Sequence, residues 1–161
     1  MQFQDVEPVD DADVAHLEDK DLLYVAGHAH ALAAATGMRL LATDAQIEAT
    51  VPVATTGALL ATKLHAYLDR RRVAGPDKRP GDLWDIYNLL LHLGADAAAN
   101  LATANPSLAR VVATTIRAQL VAGAARARSV LLLSNDERYQ AVTTEEISYA
   151  AGAFLDSLGE R

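Results

Sequence analysis

Between Thr55 and Leu93 the apolar residues recur every three to four positions, and two amphipathic helices are predicted there. Thr55 or Thr56 opens the first, which runs to about Arg72; the second covers about Asp82 to Leu93, with Gly94 as its stop. Gly75-Pro76 and Pro80-Gly81 bracket a loop between them. Upstream, a helical pattern runs from about Asp13 to Ala35, with a break near Lys20, and Thr36-Gly37 supplies its stop. MRLLAT and QIEATVPVA are short, β-branched or alternating, and separated by Asp44-Ala45, so they read as two strands of a hairpin. QFQDVEP alternates loosely and adds a short strand ended by Pro8. Downstream, helix is predicted from Asn105-Pro106 through about Arg128, then a hinge at Ser134-Asn135. A last helix starts at Thr143 or Thr144, where Glu146 stands at capping-box spacing.

The fold class that follows is α+β and predominantly α, a small two- to three-stranded sheet near the N-terminus packed on a C-terminal helical bundle. Residues 1–54 form the α/β portion and 55–161 the helical portion, in one compact unit. The 161-residue length is ample for one buried core and short for two. Apolar residues make up 51% and aromatics only 5%, so the core is built from Ala and Leu, as in helical proteins.

The absence of cysteine excludes a disulfide scaffold and thiolate metal sites. No apolar run reaches the roughly 18 residues that a spanning helix needs. The acidic start MQFQDVEPVDDADV has no signal-peptide h-region, so the expected compartment is the cytoplasm. A net charge of −7 argues against general nucleic-acid affinity, and any phosphate contact must be local.

The local basic patch lies in LLATKLHAYLDRRRVAGPDKRPGDLWDIYNLL. Lys63, Tyr67 and Arg70 or Arg71 share one helix face, beside a buriable stripe of Leu60, Leu64 and Leu68. A lysine at position 63 either snorkels to solvent or meets a phosphate in a polar cleft. Arg70, Arg71 and Arg72 either solvate a helix C-terminus or bind phosphate. Asp82 and Asp85 sit i, i+3 at the start of the next helix, facing Lys63. One aspartate would cap that helix; two leave a carboxylate to orient a cation or ribose, to deprotonate a hydroxyl, or simply to pair with Lys63.

The pair KLHAYLDR and DLWDIYNLL resembles the nucleotidyltransferase toxins of the AbiEii/AbiGii type, which include the MenT toxins. The likeness covers about residues 50 to 93, with a looser echo in GHAHALA. The resemblance implies a toxin of a type IV-like toxin-antitoxin or abortive-infection system that transfers nucleotides from a nucleoside triphosphate to an RNA acceptor, tRNA for some members. By the same resemblance Lys63 and Asp82 are catalytic, with Lys63, Arg70 and Asp85 on the nucleotide. Arg71, Lys78 and Arg79 are candidate RNA or phosphate contacts. Mg²⁺ is the implied cofactor and a cognate antitoxin the implied partner.

Two features depart from the pattern. Gly81 stands where many relatives carry lysine, so Lys78 or Arg79 would substitute. The glycine-serine turn followed by an acidic strand, which holds the metal in such enzymes, is missing: the sequence has no Gly-Ser dipeptide, and Asp10, Asp11 and Asp13 precede a helix. Asp5 is a candidate remnant of a third carboxylate. The alternative reading is therefore a catalytically inert remnant or regulatory domain that binds a partner protein or RNA.

Elsewhere the chemistry is sparse. His28 and His30 lie two apart on a helix, pointing about 200° apart, and do not clamp one metal. His65 flanks Lys63 and is a candidate cleft residue; His16 and His92 stand alone. Trp84 is expected to pack on the hairpin partner. Arg110 and Arg117 share a helix side and offer, with Arg126 and Arg128, a basic face that either touches RNA or solvates the helices.

Overall fold

The computed structural model describes residues 18–42, 47–70 and 77–159. The predicted strand at QFQDVEP, the start of the first helix with His16, the Asp44-Ala45 turn, and Arg71 and Arg72 lie outside them. Within them the order is α1 (Asp19–Ala33), β1 (Thr36–Ala42), β2 (Ile47–Val53), α2 (Thr56–Asp69), α3 (Arg79–Ala104), α4 (Pro106–Ile116), a π-helical turn (Arg117–Val121), α5 (Ala124–Leu131), α6 (Glu137–Ala141) and α7 (Thr144–Leu158). The architecture is mostly helical with a two-stranded antiparallel sheet near the N-terminus, and its register runs from Thr36 opposite Val53 to Ala42 opposite Ile47. No helix among the described residues is long and apolar enough to cross a membrane.

The helix starts follow the expected chemistry. Thr55 accepts a hydrogen bond from the Ala58 amide at the head of α2, and Asn105 accepts one from the Leu108 amide at the head of α4. Thr143 and Glu146 exchange bonds in a complete capping box that opens α7. At its other end α7 stops at Gly159, whose φ of 82° is a left-handed cap that a side chain would oppose.

Three helix boundaries correct the sequence expectations. Pro80 and Gly81 are not loop residues: α3 already begins at Arg79, and proline in the first turn loses no helical hydrogen bond. Gly94 does not end α3 either. It is buried beside Phe154 of α7, and the alanine-rich ADAAANLATA after it carries the helix on to Ala104. The helix expected through Arg128 is interrupted twice, by the π-helical turn at Arg117–Val121 and by the turn before Ala124, which together keep Leu120 and Ala124 facing the core.

The 26-residue α3 is the spine of the bundle, packed on α2 along one side and on α7 along another. α1 lies against α2 and α4. Leu60, Leu64, Tyr67, Leu83, Ile86 and Leu101 are each no more than 1% exposed, so the α2–α3 seam is close-packed. Of the predicted α2 stripe, Leu68 is only partly buried. The far end of the seam is tied by Thr56 Oγ1, which donates to Asn100 Oδ1 at 2.8 Å.

Gly57 sets how closely the two helices approach there. A Cβ at this position would sit 2.9 Å from Leu101 Cγ, 3.0 Å from the Ala97 carbonyl oxygen and 3.1 Å from Asn100 Cβ. Gly57→Ala is therefore expected to lose about 1–3 kcal/mol in urea unfolding, through forced separation of α2 and α3. Gly152→Ala in α7, whose new methyl would meet nothing within 4 Å, should instead be neutral or gain up to about 1 kcal/mol from higher helix propensity.

Candidate functional site

The antiparallel run of α2 against α3 brings the face of Lys63, Tyr67 and Arg70 onto the start of α3. Tyr67, 1% exposed, is packed into the seam, and the two cations lie on either side of it in sequence. Lys63 Nζ donates to Asp85 Oδ2 at 2.6 Å and lies 4.0 Å from Asp82 Oδ1. Arg70 Nε lies 3.0 Å from Asp82 Oδ2. The four groups that the sequence put on facing helices thus form one cluster. It is a chain of alternating charge: guanidinium, carboxylate, ammonium, carboxylate.

The two aspartates are not equivalent. The Asp82 side chain is 7% exposed, whereas those of Lys63 and Asp85 are 31% and 47% exposed. Asp82 Oδ2 has no hydrogen-bond donor aligned on it, so its contact with Arg70 is a charge pair rather than a directed bond. Burial pushes the Asp82 carboxyl above the usual carboxylate range. Arg70 and then Lys63 pull it down, without cancelling that effect, while the neighbouring Asp85 adds to the rise. Asp85, one turn further along α3, faces solvent.

A cavity of about 450 Å³ opens beside that outer pair. Leu59 and Lys63 of α2 line it opposite Asp85, Asn88, Leu89 and His92 of α3, so one end is ionic and the rest largely apolar. Asn88 Nδ2 donates to the Trp84 carbonyl oxygen at 2.8 Å, which fixes which way its amide is turned. Asn88 and His92 had no part in the sequence-based site. The signal was present, since 85, 88 and 92 share a helix face at i, i+3 and i+7, but both residues are flanked in sequence only by apolar or aromatic ones.

Other candidates are placed elsewhere. His65 does not line the cavity: its ring lies 4.9 Å from Tyr24 and 6.3 Å from His28, between centroids, on the α1 side of α2. His28 is exposed and bonds through Nδ1 to the Tyr24 carbonyl at 2.7 Å, whereas His30 is half-buried and burial lowers its pKa. Trp84 stacks on Tyr139 of α6, with centroids 5.0 Å apart, where α6 folds back over the start of α3. Arg79 closes its guanidinium on Asp77, with contacts of 2.5–3.0 Å, while Lys78 is exposed. Arg110 is exposed on α4, and Arg128 donates to the Gln140 carbonyl oxygen.

The donor set bears on metal chemistry. Asp82 and Asp85 are the carboxylates at this site, and each is already set against a cation, Arg70 or Lys63. A hard divalent ion needs several clustered oxygens, so this pair alone does not fit one. Among the described residues no group of three or more His, Asp or Glu side chains is placed to hold a metal.

The raised pKa of Asp82 has a signed consequence for stability. Below the unfolded-state pKa both states hold the proton. As pH climbs through the folded-state pKa, the native carboxyl must ionise in its buried setting, and the stability present at lower pH is lost. Asp82→Asn removes this titration. In urea unfolding from about pH 4 upward, wild type should lose stability relative to the variant, with the difference levelling off once Asp82 is ionised.

Comparison with protein families matches residues 29–153 to the family described as nucleotidyl transferase AbiEii toxin, Type IV TA system. Comparisons with curated proteins and with solved structures find no match. The matched span takes in α2, α3 and the whole charge cluster, and reaches into α7. This chain belongs to the AbiEii nucleotidyltransferase toxin family of type IV toxin-antitoxin systems.

Proposed function

We propose that the Lys63–Asp85 mouth of the α2–α3 cavity receives the phosphates of a nucleoside triphosphate for nucleotidyl transfer to an RNA acceptor such as tRNA, as in the MenT toxins. The carrying observation is the partly exposed Lys63 ammonium, 2.6 Å from an exposed carboxylate, at the rim of a 450 Å³ cavity. Family membership supplies the reaction class.

The chemistry follows from the charges. A triphosphate entering the mouth competes with Asp85 for the Lys63 ammonium, a compact cation suited to offset charge that builds on a transferring phosphoryl group. The acceptor hydroxyl oxygen bonds to the α-phosphorus, the bond to the β-phosphate oxygen breaks, and pyrophosphate leaves. Asp85, released from Lys63, takes the hydroxyl proton. Asp82 and Arg70 stand behind this pair: Asp82 lies 4.0 Å from the ammonium and holds it electrostatically, so Asp82 acts as a positioning residue more than a group in contact with substrate. Arg70 keeps Asp82 from being an isolated buried charge. Arg71 and Lys78 remain the candidates for the RNA backbone, and Arg79 would first have to leave Asp77. The magnesium ions of the family would take oxygen ligands other than this pair.

The test is incorporation of radiolabelled nucleotide into tRNA in the presence of magnesium. Lys63→Ala and Asp85→Ala should each lower incorporation by about 10²-fold or more, with Asp85→Ala close to wild type in unfolding midpoint and Lys63→Ala destabilised but still folded. Asp82→Asn should lower it less. Incorporation that survives both alanine substitutions removes the assignment. Nucleotide binding without incorporation moves the chain to the non-catalytic, binding reading.

A further inference from the structure

The cavity continues beyond the ionic mouth, and its remaining lining has no role in phosphate chemistry. Resting on the reading above, we infer that the inner stretch, Leu59, Leu89 and Leu93 with Asn88 and His92, is the nucleoside subsite, in which Asn88 contacts the edge of the base.

The layout is linear. Asp85, Asn88 and His92 follow one face of α3, so at 1.5 Å per residue His92 lies about 10 Å along the helix from Asp85. Leu59, four residues before Lys63 on the antiparallel partner, lies opposite this stretch. A ligand bound along the seam therefore meets charge at one end only, then leucine side chains for a further two turns. An extended nucleotide has this same order: polyanion, then ribose, then a flat base with apolar faces and a polar edge. A peptide phosphate or inorganic polyphosphate would leave the leucine wall unused. Leu59 and Leu93 are 38% and 39% exposed, so apolar surface stands open at the cavity where a base could cover it.

Asn88 is the one neutral polar lining group whose orientation is fixed. Because the Trp84 carbonyl can only accept, Nδ2 must face it, and Oδ1 with the second Nδ2 hydrogen is left to face elsewhere. That leaves an acceptor beside a donor, the arrangement asparagine uses for bidentate contact with a base edge. A carboxylate at the same place would only accept. It would favour a base with two adjacent donors, the N1–H and N2 amino edge of guanine.

The experiment is calorimetric titration of the intact chain, with magnesium, against ATP, GTP, CTP, UTP and inorganic tripolyphosphate. Wild type should bind at least one nucleotide about tenfold more tightly than tripolyphosphate, the part a stacked base contributes. Leu93→Ala, at an exposed position, should lower nucleotide affinity about threefold or more and leave tripolyphosphate unchanged; Lys63→Ala should weaken both. Asn88→Asp weakens every nucleotide through added negative charge, but the ratio of GTP to the other three should rise several-fold. If tripolyphosphate binds as tightly as every nucleotide, or if the Asn88→Asp and Leu93→Ala ratios equal wild type, the subsite is wrong and the phosphate mouth stands. If neither tripolyphosphate nor any nucleotide binds, both fall.

Discussion

The site depends on a carboxylate that the fold buries and then only partly neutralises. Asp82 is placed under α2 by the same packing that buries Leu60, Leu64 and Leu83. An unpaired carboxylate there would cost several kcal/mol, so the cations at 63 and 70 are structural requirements before they are functional ones. Arg70 sits at the end of α2 and reaches back; Lys63 approaches from two turns earlier. Their convergence fixes the register of the α2–α3 hairpin, and the outer carboxylate, Asp85, is left at the surface with the shared ammonium. One electrostatic requirement thus helps hold the helices in place and leaves an ion pair at the rim of a cavity.

That arrangement needs a rigid support, and the length of α3 provides it. The helix contacts α2 at one side and α7 at another, and Gly57 allows its later turns to lie almost backbone-to-backbone with the head of α2. A helix ending at Gly94 would have lacked Ala97, Asn100 and Leu101, the residues that Gly57 and Thr56 meet. The cavity lies between two tethers: the charge cluster at one end of the seam and the Thr56–Asn100 bond at the other.

How much of this could be read from the residues follows from how local each signal was. The hairpin, the caps at Thr55 and Thr143, and the facing of Lys63 toward Asp82 and Asp85 depend on spacings of three to eight residues, and all were legible. The extent of α3 was not, because glycine and proline act as local punctuation only where packing allows it, and here the alanine-rich stretch and the packing of α7 decided the matter. The Trp84 partner was missed for a related reason. Tyr139 is 55 positions away on a five-residue helix that no periodicity could reveal. Nor could spacing tell Asp82 from Asp85: both face Lys63, and only the depth of the seam separates a buried carboxylate from an exposed one.

The charge distribution limits how such a site can recruit its substrates. The chain carries a net −7, so its far field opposes a polyanion. Attraction to a triphosphate must act within about a Debye length, roughly 8 Å at physiological salt, of the Lys63 ammonium. Short-range capture of this kind gains little from steering and much from shape, which the leucine-lined stretch beside the mouth can supply. An RNA acceptor faces the same repulsion over a larger area. Its binding would have to draw on basic groups brought together locally, with a salt dependence that reflects few phosphate contacts. On the proposed reading, a nucleotide held by one ammonium and an apolar wall, and an acceptor held by a handful of contacts, would both exchange readily.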